Sequence, residues 1–336
     1  MAELELRHLR VVNAVADTGS LTKAAARLGV SQPALTAQLA RIERVLGGTL
    51  FDRGPHGAEP TALGKFIVGR AVALLADMDA LVGAARQEVT GIAVRPALRV
   101  GATPMLMLAG FVKQLHRGGG YGQISTLVEP SSQDVLELLA ASRIDVALCV
   151  RSDDASPNDV PGIRLRTLTR EPVLIALADS HPMARRGAVD LANLADCDWV
   201  VPPPHDNPFR RRLLAACNEA GFTPRLRHFT NDTSTARQLT SHGAVSLADA
   251  ASRPGDGITV RPLIGEPLTC EIMFATRLAD PTETAEDLFR AAARGYLSTL
   301  DRNPQYLRRW WNEHPESRAA IDQALGSPAD VGAEAG

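Results

Sequence analysis

Ser31, Gln32, Pro33, Thr36 and Gln38 stand close together near the start of the chain, and none carries a charge. A glutamine amide both donates and accepts, so it can pair at two points with an adenine edge. Proline and threonine offer apolar surface to a thymine methyl. Such groups read bases only when a helix holds them outward, and the surrounding residues build one. Leu35, Leu39, Ile42 and Leu46 recur at helical spacing as an inner stripe, leaving Gln32, Thr36, Ala37, Gln38 and Arg41 outside. Ser31 caps the helix, and Pro33 falls in its first turn, where a missing N–H costs nothing. Gly47 and Gly48 stop it.

Two helices precede it. Leu6, Leu9, Val12 and Val15 give the first an apolar stripe that ends at Gly19. Ser20 caps the second, whose inner face is Leu21, Ala24, Ala25 and Leu28; Gly29 turns the chain and Val30 is expected to point inward. The small alanines admit a neighbouring backbone closely. This spacing predicts a helix–turn–helix of the kind that lays its second helix in a major groove. An ordinary helical hairpin shares the same periodicity.

The detailed string separates the two readings. Gly19-Ser20-Leu21-Thr22, Ala24-Ala25, Leu28, Val30-Ser31-Gln32-Pro33-Ala34, Gln38, Glu43, Leu46-Gly47 and Leu50-Phe51-Asp52-Arg53 follow one another almost without gaps. This pattern resembles the N-terminal domain of the LysR-type transcriptional regulators. The resemblance implies a DNA-binding surface at Ser31, Gln32, Pro33, Thr36 and Gln38, with base contacts from residues such as Gln32, Pro33 and Thr36 and a backbone contact from Arg53. It also implies double-stranded promoter DNA as partner, access of RNA polymerase as the regulated step, and self-association into dimers and tetramers. Two departures bear on affinity. Thr36-Ala37 stands where the family usually has Ser-Arg, and the wing from Gly54 to Pro60 offers only His56 beside an acidic Glu59. Residues 1–66 hold eight Lys/Arg against six Asp/Glu, a weak field for one protomer. Each lost phosphate contact lowers affinity and its salt dependence, so several copies must act together.

At 336 residues the chain is long enough for two or three domains, and 45% hydrophobic content with 4% aromatics predicts aliphatic cores. The formal charge of −2 excludes a general polycation. The N-terminus has no charged-plus-apolar leader and no run reaches spanning length, so a cytoplasmic protein with no membrane partner is expected. The expected organisation is a winged helix-turn-helix, all-α in its framework, over 1–60, and a linker and dimerisation helix over 61–90. An effector-binding domain over 96–280 and a helical extension with a disordered tail over 281–336 complete it. Thr61 caps the linker helix, which is expected to run to about Gln87. Phe66-Ile67, Val72, Leu74-Leu75, Met78 and Leu81-Val82 form a stripe it cannot bury alone, and Gly91 and Pro96 mark a hinge.

From Leu98 the period shortens. Strands at Leu98–Gly101, Ile124–Val128 and Ile144–Val150 alternate with helices, a βαβ signature of parallel strands covered on both faces. Further strands at Pro172–Ala178, Trp199–Val201, Leu226–Thr230, Ala244–Leu247 and Ile272–Ala275 predict a second sheet, with the chain crossing twice between α/β lobes. That is a periplasmic-binding-protein-like arrangement. His181-Pro182-Met183-Ala184 and Ala244–Ala250 stand at places where LysR-type effector domains have similar strings, although Ser241-His242-Gly243 departs from the usual loop.

Ligands of such a fold bind between lobes at helix N-termini, where free N–H groups favour an anion. The candidates are Thr103, Ser131, Ser132, the segment from Pro202 through Pro203 to Asn207, and Asp232 with Thr233; each is equally an N-capping residue. Arg151, just past the third strand, either neutralises a carboxylate ligand or faces solvent. The resemblance implies a small-molecule effector, often a carboxylate. No cofactor or metal site is expected: Cys149, Cys197, Cys217 and Cys270 lack metal-type spacing, and only Cys197 with Cys217 is a candidate redox pair. No phosphate-binding loop, nucleophile elbow or HExxH occurs, so no enzyme is expected. A transporter's solute-binding protein would share the second fold but not residues 1–90. Trp310 and Trp311 either dock on the effector domain or make an added oligomer contact.

Overall fold

The computed structural model describes residues 4–54, 57–90, 95–152, 160–203, 208–300 and 304–326. Backbone contacts divide the chain into two compact units, Met1–Arg99 with Tyr121–Ser125 and Glu137–Asp145 in one and the remainder in the other.

The first unit opens with α1 (Leu6–Thr18), α2 (Leu21–Leu28) and α3 (Gln32–Leu46). The caps follow the sequence: Ser20 Oγ accepts the Lys23 N–H and Ser31 Oγ accepts the Ala34 N–H. Gly19, Gly29 and Gly47 close the three helices in the left-handed region that glycine tolerates. Val12, Val15, Ala24, Ala25, Leu35, Leu39 and Ile42 form the core between them. Val30 departs from expectation, being 38% exposed. Its N–H is bound to the Ala25 carbonyl as the helix terminates, and Ser31 begins α3 before the chain can turn inward.

β1 (Phe51–Gly54) and β2 (Gly57–Pro60) pair antiparallel as the wing. Glu43 Oε1 accepts the Leu50 N–H at 2.8 Å and so ties α3 to the wing's entry. The Ala58 N–H donates to the Gly19 carbonyl at 2.8 Å. Gly57 is the residue that permits this approach: its φ is +118°, and a Cβ there would sit 2.3 Å from the Gly19 oxygen. α4 (Ala62–Thr90) follows, with Thr61 Oγ1 accepting the Gly64 N–H as the expected cap. It runs three residues past Gln87, and residues 91–94 of the expected hinge lie outside the described residues. Val68 and Ala71 are buried, whereas Phe66, Leu74, Met78, Leu81 and Val82 are exposed on this chain.

Residues 97–277 carry two five-stranded sheets. One has β4 (Gln123–Val128), β3 (Ala97–Ala102), β5 (Val146–Ser152), β12 (Thr269–Arg277) and β6 (Ile163–Pro172) in that order. The other orders β11 (Ile258–Arg261), β7 (Leu174–Ala178), β10 (Val245–Ala248), β8 (Asp198–Val201) and β9 (Arg225–Phe229). The helices are α5 (Leu108–Gly118), α6 (Ser132–Ala140), α7 (Pro208–Glu219), α8 (Thr233–Ser241) and α9 (Thr282–Leu300). The chain passes between the sheets at 172–174 and at 268–269, where the Val173 N–H donates to the Leu268 carbonyl at 3.0 Å.

Both sheets are mixed, not parallel throughout. β3 runs parallel to β5, and β8 to β9 and β10, but β12 is antiparallel to β5 and β6 and β7 to β10 and β11. β12 and β7 are the strands by which the chain enters each lobe from the other, so they run against the local βαβ direction. β6 has no counterpart among the expected strands. Its alternation of Ile163, Leu165, Thr167 and Thr169 with three arginines hides a strand behind a polar composition. Arg166 there lies over the Phe289 ring at 3.8 Å.

α9 is a layer of this unit. It packs on α5 where Gly110 meets Gly295; a Cβ on Gly295 would lie 2.5 Å from the Phe111 nitrogen. After it come α10 (Pro304–Glu313), a 3-10 turn at Pro315–Arg318 and α11 (Ala319–Leu325). Trp310 and Trp311 are buried, which decides for docking over exposure within one chain. The structureless tail expected after them instead folds as far as Gly326, because Ile321 finds a buried place and Arg318 pairs with Asp322. Residues 327–336 lie outside the described residues. Among the described residues, no helix is long and apolar enough to cross a membrane.

Candidate DNA interface and effector site

α3 divides along its length. Leu35, Leu39 and Ile42 are buried, while Ser31, Gln32, Pro33, Ala34, Ala37 and Gln38 are exposed and Thr36 is half-buried. The exposed set occupies the first two turns of the helix, at the positive end of its dipole, which favours approach of phosphate. Arg53 lies in β1, but its side chain is outside the described residues, as are Pro55 and His56 at the wing's tip.

In the second unit, several candidates gather at strand ends. The Thr103 N–H donates to the Leu148 carbonyl as the chain leaves β3, and its Oγ1 is buried with no hydrogen-bond partner among the described residues. Ser131 Oγ accepts the Asp134 N–H and so caps α6. Ser132 Oγ donates to the Val150 carbonyl at 2.8 Å, tying the start of α6 to β5. Pro203 is half-buried just past β8; residues 204–207 lie outside the described residues. Asp232 caps α8, one carboxylate oxygen accepting the Thr235 N–H at 2.7 Å and the Thr235 hydroxyl at 2.6 Å. Those bonds hold its carboxyl below the ordinary range. Thr233 is exposed in the first turn of α8.

Arg151 requires a correction. It lies inside β5, directly across from Glu271 of β12, and its guanidinium is bonded to that carboxylate. The carboxylate it neutralises is the protein's own. The redox pair finds no chemical support either. Cys197 Sγ sits 3.4 Å from His181 Nε2, yet burial raises its thiol, and burial pushes Cys217 up to about 12. Thiols held neutral are poor nucleophiles. No group of three or more His, Cys, Asp or Glu among the described residues is placed to hold a metal.

One titratable group escaped the sequence reading. Glu171, at the end of β6 beside the crossing, is buried and accepts the Tyr296 hydroxyl at 2.7 Å. Burial, then the charge of Asp249, pushes its carboxyl up to about 8 from 4.5, and the bonds from Tyr296 and the Ala250 N–H offset this only partly. Nothing in the residues around Glu171 signals this, since the strand that carries it reads as polar. The unfolded chain ionises at this position before the folded chain does, so this group's contribution to stability is full below about pH 4.5 and declines as pH rises toward 8. Glu171→Gln is expected to flatten that decline, which amounts to no more than about 1.4 kcal/mol per pH unit. Thermal melts of both proteins from pH 5 to 8 test this; parallel curves would reject it.

Comparison with known proteins agrees with the geometry. Residues 6–65 match the family described as "Bacterial regulatory helix-turn-helix protein, lysR family", and residues 93–298 match "LysR substrate binding domain". The second match reaches into the last turn of α9. A "Small neutral protease regulatory protein" of Streptomyces coelicolor is 39% identical over 300 residues, covering 87% of this chain and 89% of its own. The "HTH-type transcriptional regulator BudR" of Raoultella terrigena is 30% identical, covering 80% of this chain and 86% of its own. Among solved structures, a cysteine variant of full-length OxyR from Pseudomonas aeruginosa aligns with a TM-score of 0.65 at 22% identity, covering 88% of this chain and 96% of its own. Full-length CbnR complexed with its target DNA gives 0.59 at 22%, with 87% and 100% covered. A capped helix-turn-helix with its wing, a long helix and a two-lobed α/β domain, matched along almost their whole length, place this chain in the LysR family of DNA-binding transcriptional regulators.

Proposed function

We propose that this regulator binds a partly palindromic promoter site as a dimer of dimers and responds to a small organic effector held between its lobes. The observation that carries the reading is the division of α3: its apolar stripe is buried, and Gln32, Pro33 and Gln38 face outward at the helix start. Gln32, Pro33 and Thr36 then meet base edges, Ser31 and Gln38 flank them, and Arg53 meets the phosphate backbone. A net charge of +2 over residues 1–66 is too small for one protomer to bind tightly, which favours several copies on one site. The apolar side chains that α4 leaves exposed, Phe66 and Leu81 foremost, supply a surface for pairing two chains.

Thr103, Ser131 and Ser132 are the first-choice effector residues, with Pro203, Asp232 and Thr233 from the other lobe. Thr103 supports this most directly, since a buried hydroxyl with no partner among the described residues has capacity for a ligand oxygen. A carboxylate suits the α6 N-terminus. Binding moves the lobes, shifts the quaternary state and changes the access of RNA polymerase. The protein works in the bacterial cytoplasm, where its promoter lies, and has no catalytic role of its own.

Gln32→Ala is expected to cost about 1–3 kcal/mol at one base position and to relax preference there. Gel-shift titrations against the DNA flanking its own gene, with single-base variants of the protected site, measure this. Unchanged affinity and preference would remove Gln32 from the interface.

A further inference from the structure

We propose that the C-terminal segment from α10 to α11 is a strap that fixes one relative setting of the two effector-domain lobes and so sets the hinge equilibrium. The segment is anchored at both ends, and the two anchors belong to different sheets. On the lobe of β6 and α9, the Trp311 ring lies 5.8 Å from that of Tyr296, and the Thr169 hydroxyl donates to the Ser317 carbonyl at 2.8 Å. Ile321 is buried, and α11 packs on both α9 and β6. On the other lobe, Tyr306 packs against the apolar cluster of Leu174, Ala176, Ile258 and Val260 from β7 and β11. His314 Nε2 reaches Glu266 Oε2 at 3.6 Å in the turn after β11. A segment that merely covered one lobe would need only the first set of contacts.

The strap lies beside the two crossings. Tyr296, on which Trp311 rests, is the residue whose hydroxyl holds Glu171 next to the Pro172–Leu174 passage. Opening the lobes about the Val173–Leu268 link must therefore pull Tyr306 off its apolar seat or draw Trp311 off Tyr296. Either exposes buried aromatic surface, which is unfavourable in water. The hinge can open only as often as one anchor lets go. The consequence for effector response rests on the reading that effector binding moves the lobes; the strap itself does not.

Hydrogen exchange of the full-length protein without any effector separates these. Tyr306→Ala removes the aromatic anchor on the lobe of β7 and β11, keeps the His314–Glu266 contact and leaves the lobe of β6 untouched. Exchange of hinge peptides covering 171–174 and 267–270 is expected to rise on the order of tenfold, with β3, β5 and β8 unchanged. Glu266→Gln, which alters only the partly exposed contact with His314, is expected to raise it about twofold, and is the variant to rely on if Tyr306→Ala fails to fold. Hinge exchange equal to wild type in the folded variants, with only the 304–326 peptides faster, would overturn the strap. Faster hinge exchange in a protein that no metabolite shifts would keep the strap and reject the effector reading.

Discussion

Leu39→Ala is expected to abolish promoter binding while the effector domain stays folded. Leu39 is fully buried where α3 meets α1 and α2, within the cluster of Val12, Val15, Ala24, Ala25, Leu35 and Ile42. Truncating such a leucine costs about 2–5 kcal/mol through lost transfer energy and the cavity left behind. Whole domains are stable by only about 5–15 kcal/mol, and one of roughly 60 residues sits at the low end. The alanine variant therefore loses most of what holds α3 against its neighbours. Gln32 and Pro33 would still be present in the sequence, but no longer presented by a fixed helix. Calorimetry should show the transition of the first unit lowered by about ten degrees or more, at about 4–8 °C per kcal/mol, with that of the second unchanged. A first transition within about two degrees of wild type would show that this core is not what positions the interface.

The parts of the molecule legible in the sequence are those in which one local signal decides the outcome. α3 is bounded by a serine cap, an early proline and a left-handed glycine, and its stripe has a single period, so its ends and outer face follow directly. The same holds for the α4 cap at Thr61. The sheets were legible only as strands. Their mixed direction depends on where the chain crosses between lobes, and no residue near β7 or β12 records that. Arg151 shows the same limit at the level of a site. Its type and position suggest a ligand cation, but the register that sets Glu271 opposite it is fixed by residues more than a hundred positions away. Glu171 is a further case, because its buried environment is assembled from α9 and from the loop after β10. Only α11 departs from the expected C-terminus, for a compositional reason: an alanine-rich segment reads as free chain until a buried site for Ile321 is known.

Trp199→Ala is expected to unfold the lobe of β7 to β11, and the comparison with Trp199→Phe shows which force matters there. Trp199 has no exposed surface; it stands in β8 with Leu226 and Val245 as strand neighbours and Leu213 and Cys217 in the same core. Removing an indole of that size costs about 3–5 kcal/mol. Yet its Nε1–H has no partner among the described residues, an arrangement that itself costs about 1–3 kcal/mol. Phenylalanine deletes the orphan donor along with part of the volume, so the two changes oppose each other. Trp199→Phe should stay within about 1.5 kcal/mol of wild type, because the partial cavity and the removed orphan donor offset each other. If packing governs this position, denaturant unfolding places alanine far below wild type and phenylalanine near it; a phenylalanine variant as unstable as alanine would mean that the indole N–H does find a partner. The functional readout follows from the chain path. β8 leads directly into Pro202 and Pro203 at the proposed effector loop, whereas α3 lies in the other compact unit. Trp199→Ala should therefore retain sequence-specific DNA binding in a gel shift and lose any thermal shift produced by an effector. Loss of both together would mean that the lobe's fold is required to hold the DNA-binding units in register.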